Sequence, residues 1–104
     1  GILYRVLTPG TGVQPKVDDT VVVHYRGTLV DGTEFDSSIQ RGQPATFSLG
    51  GIIAGWQEAL QLMQEGARWE VVIPPELAYG STGAGGLIGP QETLIFEIEL
   101  IEVK

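Results

Sequence analysis

Only one stretch of this chain carries helical periodicity, and almost everything around it is patterned for strands. Trp56, Ala59, Leu60 and Met63 recur at i, i+3, i+4 and i+7, with Gln57, Glu58, Gln61, Gln64 and Glu65 around them and Gly66 placed as a stop. A single apolar stripe buries one side of one helix, so the strands on either side in sequence must supply the surface it packs on.

Those strands read clearly. Ile2 to Leu7 is a short apolar run closed by the turn cluster Thr8 to Gly12. Val17 to Val30 is rich in β-branched residues, Asp31-Gly32 is a strong hairpin signal, and Thr33 to Asp36 returns from it. Ser37 to Ala45 reads as a polar surface loop before a strand at Thr46 to Leu49. Ala67 to Ile73 is a strand halted by Pro74-Pro75, and a Gly-rich loop runs from Gly80 to Gly89. In the last strand Leu94, Phe96, Ile98 and Leu100 alternate with Ile95, Glu97, Glu99 and Ile101, which puts the first four on the helix side and Glu97 and Glu99 on a wet face. Without repeated strand–helix alternation a parallel sheet is excluded. The expected fold is α+β, an antiparallel sheet of about five to six strands packed on one short helix, in a single domain over residues 1–104. Gly1 opens inside a strand-like run with no signal-peptide pattern, so the domain is expected to be excised from a longer chain.

Composition narrows the chemistry by exclusion. With no cysteine there is no disulfide scaffold, thiol nucleophile or thiolate metal site. Six Lys plus Arg against thirteen Asp plus Glu give a net charge of −7, and the cations are scattered, which argues against nucleic acid as partner. No apolar stretch approaches the roughly 18–20 residues of a membrane helix, so this domain is expected to make no membrane contact. His24 is the sole imidazole and lies on the strand face opposite Val23 and Tyr25, better read as structural or exposed than as a triad member. One His and no Cys leave only carboxylates for a metal, Asp18-Asp19 lacks the calcium-loop pattern, and no metal or cofactor is expected. The run Gly83 to Ile88 misses the dinucleotide fingerprint, because Ile88 stands where the third Gly belongs. An acidic hydrolase would need a second carboxylate roughly 5–10 Å from Asp36, the acid placed beside Phe35.

What remains is an aromatic set, Tyr25, Phe35, Phe47, Trp56, Tyr79 and Phe96, spread over strands, helix start and loop. These rings either fill the core or line a cleft between helix and sheet. Two features favour a cleft: Trp56 lies at a helix end, and Gly50 to Gly55 offer no Ser, Thr, Asp or Asn cap, leaving the first helical N–H groups open to a ligand carbonyl.

Taken together, Val22-Val23-His24-Tyr25-Arg26-Gly27, Asp31 to Ser38, Gly55-Trp56, Leu77-Ala78-Tyr79-Gly80 and Thr93-Leu94-Ile95-Phe96 resemble the FKBP immunophilins, peptidyl-prolyl cis-trans isomerases, over essentially the whole chain. Ala59 to Met63 and Gly85 to Pro90 are most similar to the bacterial macrophage infectivity potentiator type. The resemblance implies a strongly curved antiparallel sheet wrapped around the helix and a shallow pocket with Trp56 as floor. Its walls would be Tyr25, Phe35, Phe47 and Phe96, with Ile52 and Ile53 as one lip and Tyr79, Leu87 and Ile88 as the other. Asp36 and Tyr79 would contact substrate carbonyls, Tyr25 and Phe96 would complete the catalytic set, the Ile53 N–H would donate to a further carbonyl, and Arg41 would orient Asp36. Ala45 and Ala84 depart from the family pattern and are expected to open the rim. The implied partners are proline-containing peptides, folding proteins and macrolides such as tacrolimus or rapamycin. The isolated domain is expected to be monomeric, with dimerisation through a missing N-terminal region. The type suggests the periplasm or outer membrane, with the cytoplasm as the other location. A non-catalytic proline-peptide-binding or chaperone module using the same pocket is the competing reading.

Overall fold

The computed structural model describes all 104 residues. Six antiparallel strands, β1 (Leu3–Pro9), β2 (Thr20–Leu29), β3 (Glu34–Ser37), β4 (Ala45–Ser48), β5 (Ala67–Ile73) and β6 (Leu94–Val103), form one sheet. Its order is β1-β5-β6-β2-β3, and β4 shares the outer edge of β2 with β3. β3 covers Arg26 to Thr28, and β4 covers Thr20 to Val23. Two helices accompany the sheet, α1 (Ser38–Arg41) and α2 (Ala54–Leu62). Register shifts opposite Val22/Val23 and Gly27/Thr28 leave one extra residue on β6, Ile101, and one on β3, Phe35. Such bulges bend the strand that carries them and locally increase the twist.

The alternation read from β6 is realised: Leu94, Phe96, Ile98 and Leu100 are buried, while Glu99 is exposed and Glu97 lies half-buried in an ion pair with Arg68 at 2.7 Å. Val21, Val23 and Tyr25 of β2 and Trp69, Val71 and Ile73 of β5 point into the same core. Trp56, Ala59 and Leu60 of α2, with Met63 just beyond it, close the core from the other side, as the apolar stripe requires. The Asp31-Gly32 turn holds as expected, with Gly32 at φ +92° and the Leu29 N–H bonded to Thr33 O at 2.8 Å.

Two boundaries differ from expectation. The helix ends at Leu62 rather than running to Gly66, since Met63 is already extended (φ −86°, ψ 162°) and Gly66, at φ +90°, turns the chain into β5. The presumed loop at Ser37 to Ala45 contains α1, a single helical turn. Ser37 caps it by accepting from Gln40 N–H at 3.1 Å, and Gly42 closes it in the left-handed conformation at φ +80°. Such a short turn has no periodicity to read, but its Ser cap and Gly stop were present in the sequence.

Gly55 sets how closely α2 approaches the sheet. A Cβ there would overlap the Ile73 side chain, coming within 2.8 Å of its Cδ1. Alanine would gain about 1 kcal/mol in helix propensity, yet overpacking a close-packed core costs about 1–3 kcal/mol. Gly55→Ala is therefore expected to lower unfolding stability by up to about 2 kcal/mol, measured by urea denaturation, despite favouring the helix locally.

Candidate functional site

Helix α2 meets the concave side of the sheet at its N-terminal end, and the aromatic residues converge there. Trp56 stands edge-on to Tyr25 (centroids 5.1 Å, 83°), Phe47 (5.5 Å, 81°) and Phe96 (5.2 Å, 89°), and Phe35 stands edge-on to Phe96 (5.5 Å, 87°). Perpendicular rings satisfy the aromatic quadrupole and hold a rigid wall. Above them lies a cavity of about 310 Å³ lined by Tyr25, Phe35, Asp36, Phe47, Gly51, Ile52, Ile53, Trp56, Tyr79 and Phe96. Trp56 is only 4% exposed, and its indole N–H has no hydrogen-bond acceptor.

The backbone makes room for this arrangement at Gly27. A Cβ at that point of β2 would lie 2.6 Å from Phe35 Cζ and 2.8 Å from Phe96 Cε1, so the two rings close over a bare Cα. The α2 N-terminus is open as its sequence implied. Ile53 occupies the cap position with no side-chain hydrogen bond to the helix, and its own N–H has no partner within the chain.

One acid lines the cavity. Asp36 of β3 accepts from Tyr25 OH at 2.5 Å and from an Arg41 guanidinium nitrogen at 2.5 Å, and the other terminal nitrogen of Arg41 donates to Tyr25 OH at 3.0 Å. Partial burial works against ionising Asp36, but the Tyr25 and Arg41 hydrogen bonds and the Arg41 charge outweigh it and hold the carboxyl below the ordinary aspartate range. Burial, reinforced by the adjoining Asp36, pushes the Tyr25 phenol up. Tyr25 therefore stays a neutral donor while Asp36 stays a carboxylate. No second carboxylate lines this cavity; Glu34, two residues from Asp36 on β3, borders a separate depression with it and is paired with Arg26 at 2.6 Å.

Nine of the twelve residues expected at the site line the cavity, and Arg41 joins through its ion pair with Asp36. Leu87 and Ile88 do not line it. The bridge between Ala84 and Ile88 turns Ile88 into the core at 8% exposure and leaves Leu87 outside at 54%. Ala84 also packs against the core, and Ala45 lines a neighbouring depression with Arg41, Gln43, Pro44 and Thr46, so neither alanine forms the rim of the aromatic cavity. Gly51 and the Gly27 clearance were not foreseen, and no sequence signal distinguishes these glycines from turn glycines.

With this geometry established, the chain can be set beside known proteins. Residues 12–101 match the family model described as FKBP-type peptidyl-prolyl cis-trans isomerase. The whole chain is 57% identical to the peptidyl-prolyl cis-trans isomerase Mip of Coxiella burnetii and 56% identical to the outer membrane protein MIP of Legionella longbeachae, covering 45% of each. It superimposes on the crystal structure of FkpA from Escherichia coli with a TM-score of 0.96 at 52% identity, covering all of this chain and 48% of that one. The chain thus spans about half the length of these relatives. A match across nearly the whole domain, on the same curved sheet, places the chain in the FKBP-type peptidyl-prolyl cis-trans isomerase family, of the Mip kind.

Proposed function

We propose that this domain accelerates rotation about X–Pro peptide bonds by non-covalent stabilisation of the twisted amide. The observation that supports this reading best is the aromatic cavity floored by Trp56 with the ionised Asp36 at its edge. Amide rotation has a barrier of about 18–20 kcal/mol because twisting breaks conjugation between nitrogen and carbonyl. At X–Pro bonds the two planar isomers differ by only about 0.5–1 kcal/mol, so lowering the barrier is enough to interconvert them.

No nucleophile is required. The prolyl ring seats on Trp56 between Tyr25, Phe47 and Phe96, and the unpartnered Ile53 N–H and the Tyr79 hydroxyl anchor flanking carbonyls. The planar amide carries more negative charge on oxygen than the twisted one. A fixed carboxylate facing that oxygen disfavours the planar forms more, and the apolar walls strengthen the effect by excluding water. Arg41 and Tyr25 hold the Asp36 carboxylate in place, so their role is to fix a charge rather than to transfer a proton.

The substrates of this reading are proline-containing peptides and folding proteins. Macrolides such as tacrolimus and rapamycin would occupy the same cavity as competitive ligands. The domain would act as a monomer, with dimerisation carried by a region N-terminal to it. The outer membrane or periplasm is the proposed location, supported by the name of the Legionella longbeachae relative.

In an X–Pro tetrapeptide assay, micromolar protein should accelerate the slow phase, and no acceleration would falsify the reading. Asp36→Leu and Tyr79→Phe should each lower kcat/KM by about tenfold or more, equivalent to ~1.4 kcal/mol of transition-state stabilisation, with unchanged circular dichroism. Gly27→Ala should lower kcat/KM by a similar factor of about ten by displacing Phe35 and Phe96, visible as shifted ring resonances in NMR spectra. Because the Asp36 pKa is depressed on folding, the carboxylate and its contribution to stability are fully present above the unfolded value, 3.8, and are lost as pH falls through the folded value. Turnover followed by NMR exchange should therefore be level from neutral pH to about pH 5 and fall only below the ordinary aspartate range.

A further inference from the structure

Ser38, the first residue of α1, is fully enclosed, and its hydroxyl sits where three groups meet. Its Oγ lies 2.7 Å from Tyr25 N, 3.3 Å from Tyr25 O and 2.9 Å from His24 Nδ1. A serine hydroxyl has one proton to give and two lone pairs. All three are used if the Tyr25 N–H and the His24 Nδ1–H donate to Oγ and Oγ–H donates to the Tyr25 carbonyl. Three residues on, Arg41 reaches the other end of the same tyrosine, its phenol oxygen, at 3.0 Å and also binds Asp36. Residues three apart lie on one side of a helical turn. This single turn therefore grips Tyr25 at both ends, by its backbone through Ser38 and by its hydroxyl through Arg41.

We propose that Ser38, backed by His24 from the opposite face of β2, is a positioning residue that fixes where Tyr25 OH and Arg41 meet the Asp36 carboxylate. The proposal rests on reading the cavity as the isomerase site. Without the Ser38 link, α1 would be joined to the Tyr25 main chain only through the flanking strand, and the Arg41 fork would sample several placements. Of the two neighbours, Ser37 faces the helix as its cap and Ser38 faces the strand, so the paired serines do different work.

The test follows the Asp36 carboxyl by carbon-detected NMR titration, alongside NMR exchange kinetics on an X–Pro peptide, in wild type, Ser38→Ala, His24→Ala and His24→Asn. In the two alanine variants the Asp36 titration should move up towards the ordinary aspartate range. Their kcat/KM should fall about tenfold, mainly through kcat, with cooperative urea unfolding retained. His24→Asn, whose amide N–H takes the place of Nδ1–H, should recover both properties relative to His24→Ala. The proposal is overturned if Asp36 titrates as in wild type in the alanine variants, or if His24→Asn behaves like His24→Ala. Should Ser38→Ala fail to fold, the two His24 variants decide the matter. Absence of activity in wild type would sink the isomerase reading instead, and the Asp36 titration would still judge the positioning role.

Discussion

The seating of one indole between a helix end and a curved sheet organises this molecule. Trp56 packs edge-on against Tyr25, Phe47 and Phe96, and pairs of this geometry are each worth about 0.5–1.5 kcal/mol beyond the area they bury. The arrangement needs two absences of side chain. Gly55 lets α2 close onto Ile73, and Gly27 lets Phe35 and Phe96 close over β2. With those clearances the rings form a wall whose outer side is a cavity and whose inner side is continuous with the core. Rigid walls matter for a site that works by shape and solvation rather than by bond-making.

The polar part of the site uses its few charged groups in one connected set. Asp36, Tyr25 and Arg41 satisfy one another at the cavity edge, and Ser38 and His24 extend the set through β2 to the far face of the sheet. The ion pairs on that far face, Arg5 with Glu70 at 3.2 Å and Arg68 with Glu97 at 2.7 Å, are exposed enough to contribute little to stability. The chain's acidity is thus mostly a solvated surface property. Asp36 differs in its partners rather than in its burial: its side chain is 42% exposed, but Tyr25 and Arg41 both hold it at the edge of the aromatic cavity.

Much of this was legible in the residues. Alternation in β6 and the stripe of α2 identified the two buried faces, the missing cap before Trp56 pointed to an open helix N-terminus, and the ordered motifs from Val22 to Phe96 singled out the family. Other features were not legible. The turn α1 is too short to show a period, although Ser37 and Gly42 bracket it. Leu87 and Ile88 were assigned together to the rim, but a local bridge sends one outward and the other into the core. His24 read as an isolated histidine, because its partner Ser38 is brought to it only when β3 folds back along β2 and leads into α1.

The sequence by itself determined that this chain would be an antiparallel sheet on a single helix, and that any chemistry would proceed without a thiol. Periodicity and residue type are local properties, present before the chain folds. Only the tertiary structure decided that Tyr25, Asp36 and Arg41 form one hydrogen-bonded unit, that bare Cα atoms at Gly27 and Gly55 give the rings their positions, and that one turn of helix holds Tyr25 from both ends. Those outcomes depend on strand register and on the bulges in β3 and β6 where they pair with β2, which bring residues far apart in sequence within hydrogen-bonding distance.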